Sequence, residues 1–260
     1  MNVHLRFLCT PRISKYRIFS WSDFVVLPDD GIYVFARSDD CFFGVLHSRL
    51  HEVWALKLGT RLETRPRYTP TSCFETFPLP ECVWEARDEV GWVKRSAAPP
   101  STDAATATAD AAAALRLNHP ANPNAEAIAA AAKELDVLRT RWLNPPEWTK
   151  TEVLEFPGSV DGPWARYIDP ATVRPRSSPA SRPAIGTVRW PRVVPKNAEC
   201  AESLKKRTLT NLYNQRPTWL AQAHQKLDEA VFAVYGWDPA ISDEELLTRL
   251  LKLNLERSTT

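Results

Sequence analysis

Glycine is scarce in this 260-residue sequence: there are eight, all isolated, and no G-x-G occurs. Nucleotide-derived cofactors and phosphates sit on Gly-rich turns between a strand and a helix, because the backbone must approach them closely. A loop of that kind is excluded. Cysteine is equally thin. Cys9, Cys41, Cys73, Cys82 and Cys200 are odd in number and never in C-x-x-C spacing, which argues against a disulfide framework and a zinc site. Reduced, mostly buried thiols are expected. No apolar run approaches the ~18–20 residues that cross a bilayer. Arg6 and Arg12 interrupt the N-terminal apolar patches, so no secretory signal is read and a cytoplasmic protein is expected. No nucleophile elbow marks a Ser/His/Asp or Cys/His arrangement.

Charge is present but unevenly spread. The net charge is +2, yet residues 1–20 carry Arg6, Arg12, Lys15 and Arg17 without an acid. Residues 170–216 hold ten Lys or Arg against Glu199 and Glu202, and the remainder is net acidic. Such asymmetry suits a polyanion-binding face, and equally a solvated surface.

The periodicity divides the chain. Val3–Cys9, Tyr16–Trp21, Phe24–Leu27 and Ile32–Ala36 read as strands, separated by turns at Thr10-Pro11 and 28–31. From Phe42 to Leu58 the positions Phe42, Val45, Leu46, Leu50, Val53, Trp54 and Leu58 form one helical stripe, started by Asp39 or Asp40 and ended by Gly59. A basic loop follows. Residues 96–124 are an Ala/Pro-rich linker. A helix is expected over Ala125–Leu143, then an extended, loop-like Pro/Arg-rich excursion over 156–197. Helices return at Glu199–Asn214 and from Pro217 to Gly236. A last one starts from the capping box Ser242/Glu245, with Ile241 able to staple onto Leu246. The expected class is α+β: a β-rich domain over 1–95 with a central packing helix, the linker, and a mainly helical domain over 125–257.

Two tempting motifs read more simply as structure. Asn144-Pro145-Pro146-Glu147 is similar to the Asn-Pro-Pro-aromatic turn of amino-methyltransferases, but Glu147 stands where the base-stacking ring belongs and the segment ends a helix. His47 and His51 share a metal-binding spacing, but Ser48 occupies the place of the zinc-protease Glu and no third ligand is evident; exposed or capping histidines are expected.

The positive signals are basic and aromatic. Thr10–Arg17 places Arg12, Lys15 and Arg17 between strands, and 61–69 adds Arg61, Arg65, Arg67 and Tyr68. Arginine bonds bidentately to guanine or to phosphate, so both segments suit DNA.

Three runs in the front half, 10–19, Phe42-Phe-Gly-Val-Leu-His-Ser-Arg-Leu-His51, and Arg67-Tyr-Thr-Pro70 leading to Phe74-Glu-Thr-Phe-Pro-Leu-Pro80, resemble the target recognition domain of large adenine-specific DNA methyltransferases of the MmeI-like restriction–modification class. That domain is similar in turn to the TaqI-like specificity domain and to type I specificity subunits. Arg141–Pro146, Leu204–Asn214, Arg216–Trp219, Leu227–Val231, Tyr235–Trp237 and Leu251–Arg257 resemble the C-terminal helical segment of the same proteins. The resemblance covers residues 1–95 and 125–257.

It implies a sequence-specific DNA-recognition segment of an S-adenosylmethionine-dependent adenine-N6 methyltransferase. The catalytic core and its cofactor would lie outside this chain, in cis or in trans, and the place of action would be the bacterial cytoplasm. Double-stranded DNA is the implied partner, with no membrane, metal or cofactor here. Arg65, Arg67 and Tyr68 are assigned to bases, and Arg12, Lys15 and Arg17 to phosphates. The same residues also fit a stand-alone specificity subunit that docks onto a separate methyltransferase through its helical half, or a remnant without a working role.

Overall fold

The computed structural model describes residues 6–62, 65–84, 122–174 and 183–258. Most of the expected linker, 96–124, lies outside them, as do residues 3–5 of the first expected strand. The fold is α+β. Strands β1 (Arg6–Pro11), β2 (Ser20–Asp23) and β3 (Ile32–Phe35) form an antiparallel sheet in the order β2-β1-β3. Leu8 stands opposite both Trp21 and Phe35 on the face that meets the core. The strand expected at Phe24–Leu27 is absent. Val26 N bonds back to Asp23 O at 2.9 Å in a turn, leaving Phe24, Val26 and Leu27 exposed.

The central packing helix is two helices. α1 (Asp40–His47) starts where Asp39 Oδ1 accepts from Phe42 N at 2.8 Å, and α2 (Arg49–Leu58) ends at Gly59. Ser48 breaks them with an extended backbone, ψ 160°, its hydroxyl donating to Val45 O at 2.7 Å. The freed N-terminus of α2 is satisfied from a distance: Arg49 N donates to Asp228 Oδ1 at 2.7 Å. A carboxylate at a helix N-terminus is favoured by the helix dipole and by the unpaired N–H groups there.

Beyond α2, β4 (Thr60–Leu62) and β5 (Arg65–Arg67) form a short hairpin where a loop was expected. A π-helical turn, Pro70–Phe74, and the short α3 (Glu81–Trp84) complete the front half.

α4 (Pro123–Leu143) begins on the Asn122 cap and has Pro123 in its first turn. Then β6 (Thr149–Ser159) and β7 (Ile185–Pro195) pair along eleven positions into a two-stranded ribbon, so much of the excursion at 156–197 is extended but hydrogen-bonded. The helix expected over Glu199–Asn214 is likewise two, α5 (Ala198–Lys205) and α6 (Leu209–Gln215). Between them the Arg207 guanidinium lies over Trp142 (4.9 Å) and Trp148 (4.5 Å) and donates to Trp142 O at 2.8 Å. Thr208 then recaps the chain. α7 (Thr218–Tyr235) ends on Gly236 at φ 68°, a left-handed position glycine fills without strain. α8 (Asp243–Ser258) follows, with Glu245 N bonded to Ser242 Oγ at 3.2 Å.

Among the described residues one apolar core joins both halves. Phe42, Phe43, Val45 and Leu46 of α1 are buried with Ile128, Ala132 and Leu135 of α4 and with Leu227 and Val231 of α7. Gly44 sets the approach. A Cβ there would lie 2.6 Å from Ile128 Cγ2, 3.0 Å from Ala132 Cβ and 3.1 Å from Leu227 Cδ1. Gly44→Ala should therefore destabilise by ~1–3 kcal/mol through overpacking, despite alanine's ~1 kcal/mol better helix propensity. Urea unfolding of the two proteins checks this, and an unchanged or raised midpoint refutes it.

Candidate nucleic-acid interface

Backbone pairing brings the two basic segments together. Tyr68 N donates to Arg12 O (2.8 Å), Ser14 N donates to Pro66 O (3.3 Å), and Ile13 bridges to Arg67. The segment after β1 thus runs beside β5 as an additional edge of the hairpin. In the hairpin register Arg65 and Arg67 lie on one face and Arg61, opposite Pro66, on the other. All three arginines are exposed, and none is paired with a carboxylate among the described residues.

The remaining candidates divide by environment. Arg12 is committed locally. It bonds Tyr33 OH (3.3 Å) and Asp30 Oδ2 (3.1 Å), which hold its guanidinium above its ordinary pKa. Lys15 is exposed and donates to Asn214 Oδ1 at 2.6 Å.

Arg17 and Tyr68, expected at the DNA surface, are instead core residues, 6% and 1% exposed. The Arg17 guanidinium lies 4.9 Å from the Tyr68 ring centre and donates to Thr10 Oγ1 (3.0 Å), Pro11 O (2.5 Å) and Pro66 O (3.5 Å). It therefore ties the end of β1 to the hairpin. Burial lowers its pKa, and the Tyr68 ring beside it partly offsets that. Spacing alone could not separate Arg17 from Lys15, since both lie in one basic run.

Behind the hairpin the two histidines are buried, not exposed, and His51 caps the last turn of α1. His51 Nδ1–H donates to Leu46 O at 2.9 Å, and its Nε2 accepts from Tyr68 OH at 3.1 Å, which fixes the tautomer. Burial lowers its pKa to about 3. His47 and His224 are pushed down by the same cause, His224 to about 4. Among the described residues no three His, Cys, Asp or Glu are grouped to hold a metal ion. All five cysteines are free; Cys41 and Cys73 are buried and the other three half-buried.

Sequence reasoning missed several residues that shape this surface. Asp23 accepts from Arg166 and from Tyr167 OH (2.6 Å), tying the segment between the ribbon strands to the end of β2. Asn214 reaches the Lys15 segment across 199 residues. No local pattern announces a contact of that separation.

The Asn-Pro-Pro turn does not fit methyl transfer. Its Pro145 carbonyl already accepts from Trp148 N, Thr149 N and Thr149 Oγ1 at 2.8–3.0 Å, and Asn144 caps α4. No Gly-rich strand-to-helix turn for S-adenosylmethionine occurs among the described residues.

A short hairpin carries exposed cations beside a small sheet, set on a helical body. Residues 12–81 match the family model described as "MmeI, target recognition domain", and this segment is a target recognition domain of the MmeI kind. The chain is similar to DNA methyltransferase A of Bacillus subtilis (strain 168), 36% identical over 59 residues, which are 23% of this chain and 7% of that protein. It also superposes on the structure of the Type IIL restriction–modification enzyme MmeI in complex with DNA. There the TM-score is 0.54 at 18% identity, over 100% of this chain and 22% of that one, a likeness of fold. The chain thus matches a small part of the length of both proteins.

The buried histidines predict a pH dependence. A neutral, buried His51 binds no proton until about pH 3, whereas the unfolded chain protonates near pH 6.5, so stability is full above pH 6.5 and is lost as pH falls through that window. Asp228, raised by burial to about 6, works the opposite way below pH 6 and offsets part of the loss from the histidines. His51→Gln keeps a donor and an acceptor but does not titrate. It should flatten the slope of unfolding free energy between pH 6 and 4 by ~1.4 kcal/mol per pH unit, one proton's worth. An unchanged slope in urea titrations would show that His51 does not stay neutral.

Proposed function

We propose that this chain is the DNA sequence-recognition segment of a S-adenosylmethionine-dependent adenine-N6 methyltransferase of a restriction–modification system, acting in the bacterial cytoplasm. The observation that carries this is the hairpin. Arg61, Arg65 and Arg67 stand exposed and free of carboxylates among the described residues, next to Lys15, in a segment that matches a target recognition domain. Long cations held on a short β-hairpin suit the major groove, which admits a two-stranded ribbon and offers guanine O6 and N7 to arginine.

Arg65 and Arg67 are the base readers, while Lys15 and Arg12 face phosphates, Arg12 after exchanging Asp30 for an anion. Methyl transfer falls to a catalytic core elsewhere in a longer chain or in a partner protein, which also supplies the cofactor site. The structural likeness to an enzyme solved with DNA supports DNA as the ligand. No helix among the described residues is long and apolar enough to cross a membrane.

The test is selection of preferred duplexes from a random pool by the full chain, followed by titration. Arg67→Ala should relax the preference at one base pair, losing ~1–3 kcal/mol of discrimination. Lys15→Ala should weaken every duplex alike and reduce the slope of log K against log salt by about one. If the chain binds no duplex, or if both variants bind as the wild type does, the proposal fails.

A further inference from the structure

The segment that carries Lys15 is held from two sides. On one it pairs with β5, as described. On the other it meets the last turn of α6. Asn214 Oδ1 accepts from Lys15 Nζ at 2.6 Å and from Tyr16 OH at 3.0 Å, and the Tyr16 ring packs on Tyr213 at 5.7 Å. α6 stops directly afterwards, with Arg216 in the left-handed region at φ 41°, so Asn214 stands at the helix end nearest the basic surface.

Lys15 and Asn214 are both exposed. A polar contact in water adds little to stability, so its consequence lies in orientation. An ammonium has three donors and a flexible stem. An amide oxygen fixes one donor and leaves two for an incoming anion. Unlike a carboxylate, it does this without cancelling the charge. Fixing a mobile side chain in advance reduces the ordering cost paid when the ligand arrives.

We propose that Asn214 is a positioning residue of the DNA surface. It holds Lys15 and Tyr16 in the orientation in which Lys15 meets a backbone phosphate, and so makes α6 of the helical half part of the interface. This rests on the DNA-recognition reading above.

The experiment is a double-mutant cycle on the full chain: wild type, Asn214→Ala, Lys15→Ala and the double variant, titrated with one selected duplex over a salt series. Thermal melting serves as the control for folding. Asn214→Ala should weaken every duplex about two- to tenfold. The double variant should bind no more weakly than Lys15→Ala, since the amide acts only through the lysine. Asn214→Asp should pair with Lys15 and lower the salt slope by about one, as removal of a phosphate contact does. Asn214→Ser, which keeps an acceptor oxygen, should recover part of the Ala loss.

Independent losses that add in the double variant, or an Asn214→Ala protein that binds as the wild type does while Lys15→Ala is weakened, would overturn the positioning role. So would a Lys15→Ala protein with an unchanged salt slope. In each of these cases the wild type still binds DNA, so the recognition reading stands; an unchanged Lys15→Ala slope also removes the phosphate contact assigned to Lys15. A wild-type chain that binds no duplex at all overturns the recognition reading and this inference with it.

Discussion

The burial of one cation organises the molecule. Arg139, on α4, is 3% exposed, and its nearest carboxylate, Asp136, is 3.8 Å away on the same helix. Removing a guanidinium from water costs several kcal/mol unless its donors are satisfied; here Nη2 finds its acceptor in another part of the chain, and Nε has no hydrogen-bond partner among the described residues. Nη2 donates to Phe19 O at 2.8 Å, and Nη1 lies 2.9 Å from Nε2 of His47, whose Nδ1 accepts from Phe19 N at 3.2 Å. The His47 ring also stacks on His224 of α7, and Tyr213 OH of α6 lies 2.9 Å from both histidines. The guanidinium therefore requires the start of β2, α1, α6 and α7 to arrive together around α4. Burial keeps the two rings uncharged, and the guanidinium adds to this by repelling a second cation.

That constraint reaches the surface in short steps. Phe19, whose carbonyl Arg139 holds, lies two residues from Arg17, which binds the end of β1 to the hairpin. The Tyr68 ring beneath Arg17 is held by His51, and His51 by the last turn of α1. The exposed arginines of the hairpin thus stand on a platform whose depth belongs to both halves. The helices do more than follow the recognition segment in sequence: they supply Asp228 to α2, Asn214 to the Lys15 segment and Arg139 to the base of β2.

What was legible in the sequence was local. The Asp39 start, the stop of α4 at Pro145-Pro146, the Gly236 terminus and the Ser242/Glu245 start are each decided by a few adjacent residues and by unpaired backbone groups that need partners nearby. The breaks at Ser48 and Arg207 were not legible, because their compensating partners, Asp228 in one case and the rings of Trp142 and Trp148 in the other, lie far along the chain. The ribbon was hidden for a related reason. Both faces of its strands are largely solvated, so no period-two apolar pattern marks β6 and β7, and eleven cross-strand pairs hold what composition describes as Pro/Arg-rich excursion.

The basic run itself shows why counting charge along a sequence misjudges a binding surface. Four cations in the first twenty residues suggest one polyanion face, yet they have four different fates. Arg6 is paired with Asp40 and lies over Trp21, Arg12 is paired with Asp30, Lys15 is held by a neutral amide, and Arg17 is buried against an aromatic ring. Only Lys15 keeps its charge both exposed and uncompensated by a nearby carboxylate. Three residues of the hairpin that looked like loop, Arg61, Arg65 and Arg67, keep theirs as well. The field available to an anion is set by which cations the fold leaves without a carboxylate, and here the fold neutralises the cations of the sheet while leaving those of the hairpin and its neighbouring edge.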